Sequence, residues 1–349
     1  MATKVLLVHG RGQASDAHTA SDQKLLDAWI LRIERTFRAG LAKGLVLSGL
    51  EPIGESDVVF PFYGNALAAA IKKFESSGGK TPPLEMAAPR GQTSTGQLPQ
   101  QLEAEMLHEM AGRLGYTPWS QRADVSGEPQ IAEWKGFSVG DLDDVLRLPF
   151  MTEVLQFLSR KTGLPAEIIR AELADVAYYL GRREIRDLVL NIVREEVKSK
   201  TSPGDSLVVI GHSLGSVVAY DFLAARNDRT VADRTIKLLV TAGCPLGLKP
   251  VKSNLFGVRR KQQRPSVPKV VPSRIGAWIN AYDPLDVVAL IHPLAPEFKP
   301  SLRGQIADVQ THNPSGPHNI IDYLADPDVA APIGRAFISP NSLKAPNGF

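Results

Sequence analysis

Short runs of apolar, β-branched residues recur along the chain, separated by stretches in which apolar residues return every three or four positions. The first pattern is typical of buried strands and the second of amphipathic helices. Strands joined by crossover helices form parallel sheets with helices on both faces. The pattern predicts a doubly wound, mostly parallel α/β sheet, with strands at 5–8, 58–60, 206–210, 238–240, 277–279 and 306–309 and crossover helices at 22–43 and 182–198.

The stretch between the second and third predicted strands departs from this alternation. Residues 76–99 are rich in Gly, Pro and Ser, and helical patterns cover 98–114 and, with interruptions, 142–179. An insertion this long in a compact sheet is usually a functional loop or lid. We expect one domain over 1–349 with a mainly helical insertion at 65–180, which either forms a lid or cap over a site or only adds core.

The composition is that of a globular protein and excludes several kinds of site. Of 349 residues, 43% are hydrophobic and 22% are charged, and the one cysteine, Cys244, cannot form an internal disulfide or a cysteine-rich zinc site. No Walker loop or G-x-G-x-x-G sequence is present, and His108-Glu109 lacks the second histidine of a zinc-protease helix. We expect no cofactor and no metal.

The positive charge of the chain is concentrated in one segment. Residues 249–274 contain eight Lys and Arg and no Asp or Glu, so a net charge of +3 leaves −5 for the remainder. The segment contains a single aromatic residue, Phe256, and so lacks aromatic interleaving; it also matches no nucleic-acid-binding module, so no nucleic-acid partner is expected. It is either a solvated loop without a partner or a basic flap that favours an anionic substrate, a lipid surface or an acidic partner.

The N-terminus enters the first predicted strand after only four residues. The apolar run at 5–8 ends at His9, which makes it too short for the core of a signal peptide. No apolar run reaches the roughly 20 residues of a membrane span. These features predict a cytoplasmic protein without stable membrane insertion.

One motif carries specific chemistry. The strand predicted at 206–210 leads into the sequence G-H-S-L-G, centred on Ser213, and a helical pattern of small residues follows. Such a turn projects the serine above the sheet on a strained backbone, with glycines where a Cβ would collide with neighbouring elements. In this context the chain resembles the α/β-hydrolase superfamily, in particular its esterase- and lipase-like serine hydrolases, over about 1–64 and 180–340.

The resemblance implies a Ser-His-Asp triad in the chain order Ser, Asp, His, with Ser213 as nucleophile and an oxyanion hole built largely of backbone amides. The sequence H-G-R-G at 9–12 ends the first strand and matches the oxyanion loop. The amides of Arg11 and Leu214 are therefore expected to bind the oxyanion. We also expect Tyr63 and His212 to contact the substrate.

The triad acid and the triad base each have two candidates. Asp283 and Asp286 both follow the strand predicted at 277–279. Because Asp283 precedes a proline, it is explained as a helix N-cap, and Asp286 is favoured as the acid. The resemblance places the base on the loop after the last strand, which favours His318 over His312.

These residues predict a cofactor-independent serine hydrolase that cleaves carboxylic esters of a small molecule or lipid through an acyl-enzyme intermediate. The same triad serves thioesterases, acyltransferases and serine peptidases, which differ in the leaving group or the acyl acceptor. A non-catalytic ligand-binding module on this fold is the alternative from another functional class. The sequence leaves the oligomeric state open.

Overall fold

The computed structural model of the protein describes residues 1–10, 14–76, 99–116, 149–225, 228–256, 269–270, 275–299 and 306–339. Its strands are β1 (Thr3–Val8), β2 (Val58–Val59), β3 (Ser206–His212), β4 (Thr235–Ala242), β5 (Lys269–Val270), β6 (Trp278–Tyr282), β7 (Phe298–Lys299) and β8 (Ile306–Gln310). Its α-helices are α1 (Ala17–Ser21), α2 (Gln23–Leu47), α3 (Gly64–Ser76), α4 (Pro99–Arg113), α5 (Pro149–Thr162), α6 (Ala166–Gly181), α7 (Arg183–Lys200), α8 (Leu214–Ala224), α9 (Arg229–Ala232), α10 (Lys249–Asn254), α11 (Ile320–Ala325) and α12 (Pro327–Ile338). Single turns of 3-10 helix lie at Glu55–Asp57, Pro245–Gly247 and Ala295–Glu297.

Six of these strands form one sheet in which every neighbouring pair is parallel. The order across the sheet is β2-β1-β3-β4-β6-β8. All six strands that the sequence predicts belong to this sheet, which confirms the α/β class and the mostly parallel arrangement. The two remaining described strands, β5 and β7, form a separate parallel pair.

The order of the strands reverses at β1. From β1 the chain moves outward to β2 at one edge, and it then returns to the other side of β1 to form β3. Where connections leave two neighbouring parallel strands in opposite directions, a crevice opens at the carboxyl ends of the strands, and ligands of open α/β sheets bind there. The segments that follow β1 and β3 therefore border the expected position of a site.

Helices cover both faces of the sheet. Successive side chains of a strand point to opposite faces, and in β1 Val5 and Leu7 lie in an apolar cluster with α2, α11 and α12. Leu6 and Val8 lie in a second cluster on the opposite face, together with residues of α3 to α8. All four side chains are fully buried. The first strand is therefore buried on both faces of the sheet, as its unbroken apolar sequence predicts.

The longest described helix, α2, shows how an amphipathic pattern places a helix on the sheet. Its buried apolar residues recur at intervals of four, at Ile33, Phe37, Leu41 and Leu45. Polar residues occupy most of the exposed face, which is typical of an amphipathic helix that packs one face against a hydrophobic core. Within the described residues, no helix has both the length and the apolar character needed to cross a lipid bilayer.

Helices α4, α5 and α6 lie between β2 and β3 in the chain, where the sequence predicts an insertion. They correspond to the helical patterns at 98–114 and 142–179; residues 142–148 lie outside the described part of the chain. Their buried side chains join the apolar cluster on the second face of the sheet. Much of this region therefore contributes to the core of the sheet.

A buried ion pair joins α7 to the helix that follows β3, and a tyrosine of α6 binds to the same carboxylate. Asp221 of α8 and Arg186 of α7 form a salt bridge, and both side chains are less than 10% exposed. The hydroxyl of Tyr179 in α6 donates to Asp221 Oδ2 at 3.0 Å, and the amide of Phe256 donates to Asp221 Oδ1 at 2.9 Å. One carboxylate thus holds three segments that are distant in the chain.

We expect Asp221→Asn to lower the free energy of unfolding by about 3 kcal/mol, because it leaves the Arg186 guanidinium buried without its counter-charge. Urea denaturation followed by circular dichroism measures the loss. The matched control is Asp187→Asn, which removes a partly exposed i,i+4 pair with Arg183 and should cost less than about 1 kcal/mol. Equal losses in the two variants would show that the Asp221 network does not hold these segments.

Candidate active site

The turn between β3 and α8 holds Ser213 in a strained backbone conformation. Ser213 has φ 52° and ψ −126°, and no other non-glycine residue in the described part of the chain has a positive φ. Such a conformation costs roughly 1–3 kcal/mol and persists only where the surroundings enforce it. At Gly215 a Cβ would collide with the carbonyl of Val8, and at Gly211 a Cβ would lie 2.7 Å from the carbonyl oxygen of Gly215. Close backbone packing on both sides therefore fixes the serine at the end of the sheet.

The hydroxyl of Ser213 donates to a carboxylate that the sequence analysis does not identify. Ser213 Oγ lies 2.7 Å from Oε2 of Glu172, which projects from α6. Both residues are buried, with 1% of Ser213 and 9% of Glu172 exposed. The amide of Ser213 donates to the carbonyl of Ala242 in β4 at 3.0 Å. The serine is thus anchored by its backbone while its hydroxyl proton is directed toward α6.

His318 and Asp286 form a pair at the same edge of the sheet. His318 lies on the segment after β8, and its Nδ1 donates to Asp286 Oδ2, after β6, at 2.7 Å. The hydroxyl of Tyr323 donates to the same oxygen at 2.7 Å, and the amide of Val288 donates to Oδ1 at 2.9 Å. Three donors therefore satisfy a carboxylate that is 1% exposed and fix the orientation of the imidazole.

Asp283, the other acid candidate, has a structural role in the same loop. Its Oδ1 accepts from the amide of Leu285 at 2.8 Å, and its Oδ2 accepts from the amide of Asn313 at 2.7 Å. The interpretation of Asp283 as a helix N-cap is wrong, because a turn and not a helix follows Pro284. Asp283 closes an Asx-type turn and ties it to the segment after β8.

The charge state of His318 is set by opposing effects. Burial disfavours the charged imidazolium, but the charge and hydrogen bond of Asp286 and the charge of Glu172 outweigh burial and raise the pKa of His318 to about 9. His318 is therefore protonated at neutral pH in this arrangement. Its Nε2 is buried and has no hydrogen-bond partner among the described residues. In the protonated ring Nε2 carries a hydrogen and cannot accept one from Ser213, whose hydroxyl donates to Glu172 instead.

His212 contacts both the backbone and the ring of His318. Its Nε2 donates to the carbonyl of His318 at 3.1 Å, and the centroids of the two rings are 4.6 Å apart. Burial and the neighbouring charge of His318 hold the pKa of His212 well below its usual value, so the ring is a neutral donor. Contact of His212 with a substrate stays a prediction; the structure places its ring nitrogen on the His318 backbone.

The segment after β1 is fixed by a pair of buried aromatic side chains. His9 Nδ1 donates to the carbonyl of Gly10 at 2.7 Å, and His9 Nε2 accepts from the amide of Tyr63 at 3.1 Å. Burial lowers the pKa of His9 to about 4, so the ring is neutral. The Tyr63 hydroxyl donates to the carbonyl of His9, and the Tyr63 side chain is fully buried. Tyr63 thus supports the loop, and its contact with a substrate stays a prediction.

One of the two expected oxyanion donors lies in the described part of the chain. Leu214 is the first residue of α8, where the amides have no acceptor within the helix and the helix dipole favours negative charge. Its position next to Ser213 follows from the turn itself. Arg11, the other expected donor, lies outside the described residues.

Gly243, just after β4, lies so close to the His318–Asp286 pair that a side chain would not fit there. Its φ is +56°, and a Cβ there would lie 2.8 Å from Asp286 Oδ2 and 2.9 Å from His318 Nδ1. His312, the other base candidate, is exposed on the same loop as His318. The end of β4 therefore passes directly beside the pair, and of the two loop histidines only His318 is placed in it.

The basic segment 249–274 is described only in part. Its first residues form α10, in which Lys252 makes an ion pair with Glu297 and the amide of Lys249 donates to Glu109 at 2.7 Å. Most of the cationic residues that suggested a basic flap, among them Arg259, Arg260 and Lys261, lie outside the described residues. Lys252 is already neutralised by its partner.

Comparison of the chain with protein-family models, with curated proteins and with solved structures found no match. A functional assignment therefore depends on the residues of this chain and on their geometry. That geometry brings a strained serine, a carboxylate-bound histidine and the first turn of a helix to the carboxyl edge of a parallel sheet.

We expect Asp286→Asn to lower the pKa of His318 from about 9 to near or below its ordinary value of 6.5, because burial then acts without the charge of the adjacent carboxylate. Titration of the ¹⁵N-labelled imidazole by NMR measures the change. The control is Asp283→Asn, which should leave the His318 pKa near 9. A larger fall in the Asp283 variant, with both variants folded, would reverse the assignment of the partner acid.

Proposed function

We propose that the protein is a serine hydrolase of the α/β-hydrolase type that cleaves carboxylic esters with Ser213, His318 and Asp286 as its triad. The observation that carries the proposal is the strained Ser213 at the carboxyl end of β3, beside an imidazole that a buried carboxylate holds by its Nδ1. Backbone strain of this kind clusters at active sites, where it is part of the mechanism. The triad in turn needs the imidazole in this orientation, with Nε2 left for the nucleophile.

The first half of the reaction begins when the Ser213 hydroxyl turns from Glu172 to Nε2 of His318. Neutral His318 takes the hydroxyl proton as Oγ attacks the ester carbonyl, and Asp286 stabilises the imidazolium that forms. The oxyanion is stabilised by the amide of Leu214 and, as the sequence predicts, by that of Arg11. The carbon–oxygen bond to the alcohol then breaks, and His318 returns its proton to the departing alkoxide.

The second half releases the acyl group from Ser213. His318, again neutral, removes a proton from water as the water oxygen attacks the acyl carbon. The bond from that carbon to Ser213 Oγ breaks, and the proton passes from His318 to Oγ. The products are a carboxylic acid and the regenerated serine. Within this mechanism His212 is a positioning residue, because it reaches the reaction only through the backbone of His318.

Helices α4 to α6 would act as a cap over this site. Glu172 of α6 lies on the nucleophile, so substrate must enter past the helix or displace its side chain. The anchoring of α6 through Tyr179 and Asp221 supports a cap that is part of the core and opens locally. This combines the two interpretations that the sequence leaves open, a lid and an addition to the core.

We expect a fluorophosphonate probe to modify the wild-type protein at Ser213 and to leave Ser213→Ala unmodified, with adduct position read by mass spectrometry. The matched control is Ser216→Ala, which removes a buried hydroxyl one helical turn away that donates to the Gly211 carbonyl and should remain reactive. His318→Ala should lower the labelling rate by roughly 10³-fold or more, because the general base is lost. An unmodified wild type would leave the ligand-binding module as the better interpretation.

The pH dependence follows from the charge of His318. Because the base must be neutral and its pKa is about 9, kcat/KM for ester hydrolysis should be about 50-fold higher at pH 9 than at pH 7. It should level off above about pH 10, at roughly 10² times the value at pH 7. The measurement is kcat/KM for a neutral ester, corrected for spontaneous hydrolysis with Ser213→Ala. A midpoint near pH 6.5 would show that the carboxylates do not control His318 in the free enzyme.

A further inference from the structure

The Ser213 hydroxyl donates its hydrogen to Glu172. Ser213 Oγ lies 2.7 Å from Glu172 Oε2, and a hydroxyl has a single hydrogen to donate. The same hydrogen cannot be donated to His318 at the same time. Productive binding must therefore separate Glu172 from the serine hydroxyl before His318 can accept its proton.

The displaced carboxylate has to remain close to the substrate. Helix α6 is held on the core by Ile169, Leu173 and Val176, which are at most 1% exposed, and its later part is tied to Asp221 through Tyr179. The backbone of Glu172 is therefore fixed, and only its side chain has freedom to turn. After the side chain turns, the charge of the Glu172 carboxylate therefore remains next to the bound substrate.

Among the described residues, the Ser213 hydroxyl is the hydrogen-bond partner of Glu172. No described Lys or Arg forms an ion pair with Glu172, and Arg170 on the same helix pairs with Glu103. The imidazolium of His318 is near enough for the charge of Glu172 to raise its pKa, but its hydrogen bond goes to Asp286 and not to Glu172. The charge that the described residues place on the Ser213 hydroxyl is therefore that of the Glu172 carboxylate.

We propose that Glu172 determines the substrate class of the site: esters whose acyl group carries a positively charged nitrogen are preferred, and esters that carry a carboxylate are rejected. A buried carboxylate that loses its hydroxyl donor is costly unless a new donor or counter-charge replaces it. A cationic substrate supplies that partner in a charge-assisted contact, a neutral ester does not, and an anionic ester adds repulsion. The inference rests on the proposed function. The preference for cationic esters is opposite to the preference for anionic substrates that segment 249–274 suggests.

The test uses three nitrophenyl esters of matched acyl length that end in a methyl, a trimethylammonium or a carboxylate group. For the wild type, kcat/KM should be highest for the cationic ester and lowest for the anionic one. Glu172→Gln keeps the shape and an acceptor for Ser213 but removes the charge, so the cationic-to-anionic ratio should fall at least about tenfold. Glu167→Gln, an exposed position on the same helix, should keep the wild-type ratio.

The outcomes separate this inference from the proposed function. If the wild type hydrolyses all three esters without charge preference, or if Glu172→Gln is active and keeps the wild-type ratio, Glu172 does not select the substrate and the serine-hydrolase proposal is untouched. If no ester is hydrolysed and the fluorophosphonate does not modify Ser213, the proposed function is wrong and the inference fails with it. A ratio that falls equally in Glu167→Gln would assign the preference to the general charge of the helix and also overturn the proposal.

Discussion

Close backbone packing at the carboxyl end of β3 is the constraint from which the site follows. Helix α8 starts directly against β1, because Gly215 has no side chain to separate the helix from the Val8 carbonyl. The connection from strand to helix must then turn within one residue, and that residue, Ser213, takes a positive φ. The same packing brings the ends of β1, β3 and β4 together at the point where the strand order reverses. A sheet with this topology therefore both creates the crevice and places the serine in it.

The electrostatics of the site depend on two carboxylates with different tasks. Asp286 is saturated by His318, Tyr323 and a backbone amide, so it orients the imidazole without taking part in competing contacts. Glu172 instead accepts a hydrogen bond from the Ser213 hydroxyl. Its charge, together with that of Asp286, raises the pKa of His318. In this arrangement His318 is protonated and the Ser213 hydroxyl points away from it. The proposed reaction requires both conditions to be reversed, and under our proposal a substrate that displaces Glu172 begins that reversal.

The sequence predicts the sheet well because each strand carries its own local signal. All six strands are apolar runs with turn residues nearby, and the G-H-S-L-G sequence identifies the tight turn and its serine. The N-cap prediction for Asp283 is wrong because it too rests on a local signal: an Asp-Pro pair is typical of a helix N-cap, but the partners that decide its conformation, such as the Asn313 amide, lie 30 residues away. Local patterns cannot report contacts of that kind.

The position of Glu172 in the helix can be predicted from the sequence, but its partner cannot. It follows Ile169 by three positions and precedes Val176 by four, so it lies on the buried stripe of α6, where a charged residue is rare without a partner. That position marks Glu172 as unusual, but only the packing of α6 identifies Ser213 as the partner, 41 residues later in the chain. Asp221, which is also buried, has Arg186, Tyr179 and the Phe256 amide as partners, and its burial is explained by the fold. Among the described residues Glu172 has the Ser213 hydroxyl as its hydrogen-bond partner, so its burial is explained by the proposed site: a carboxylate held on one hydroxyl is one that a suitable ligand can take over.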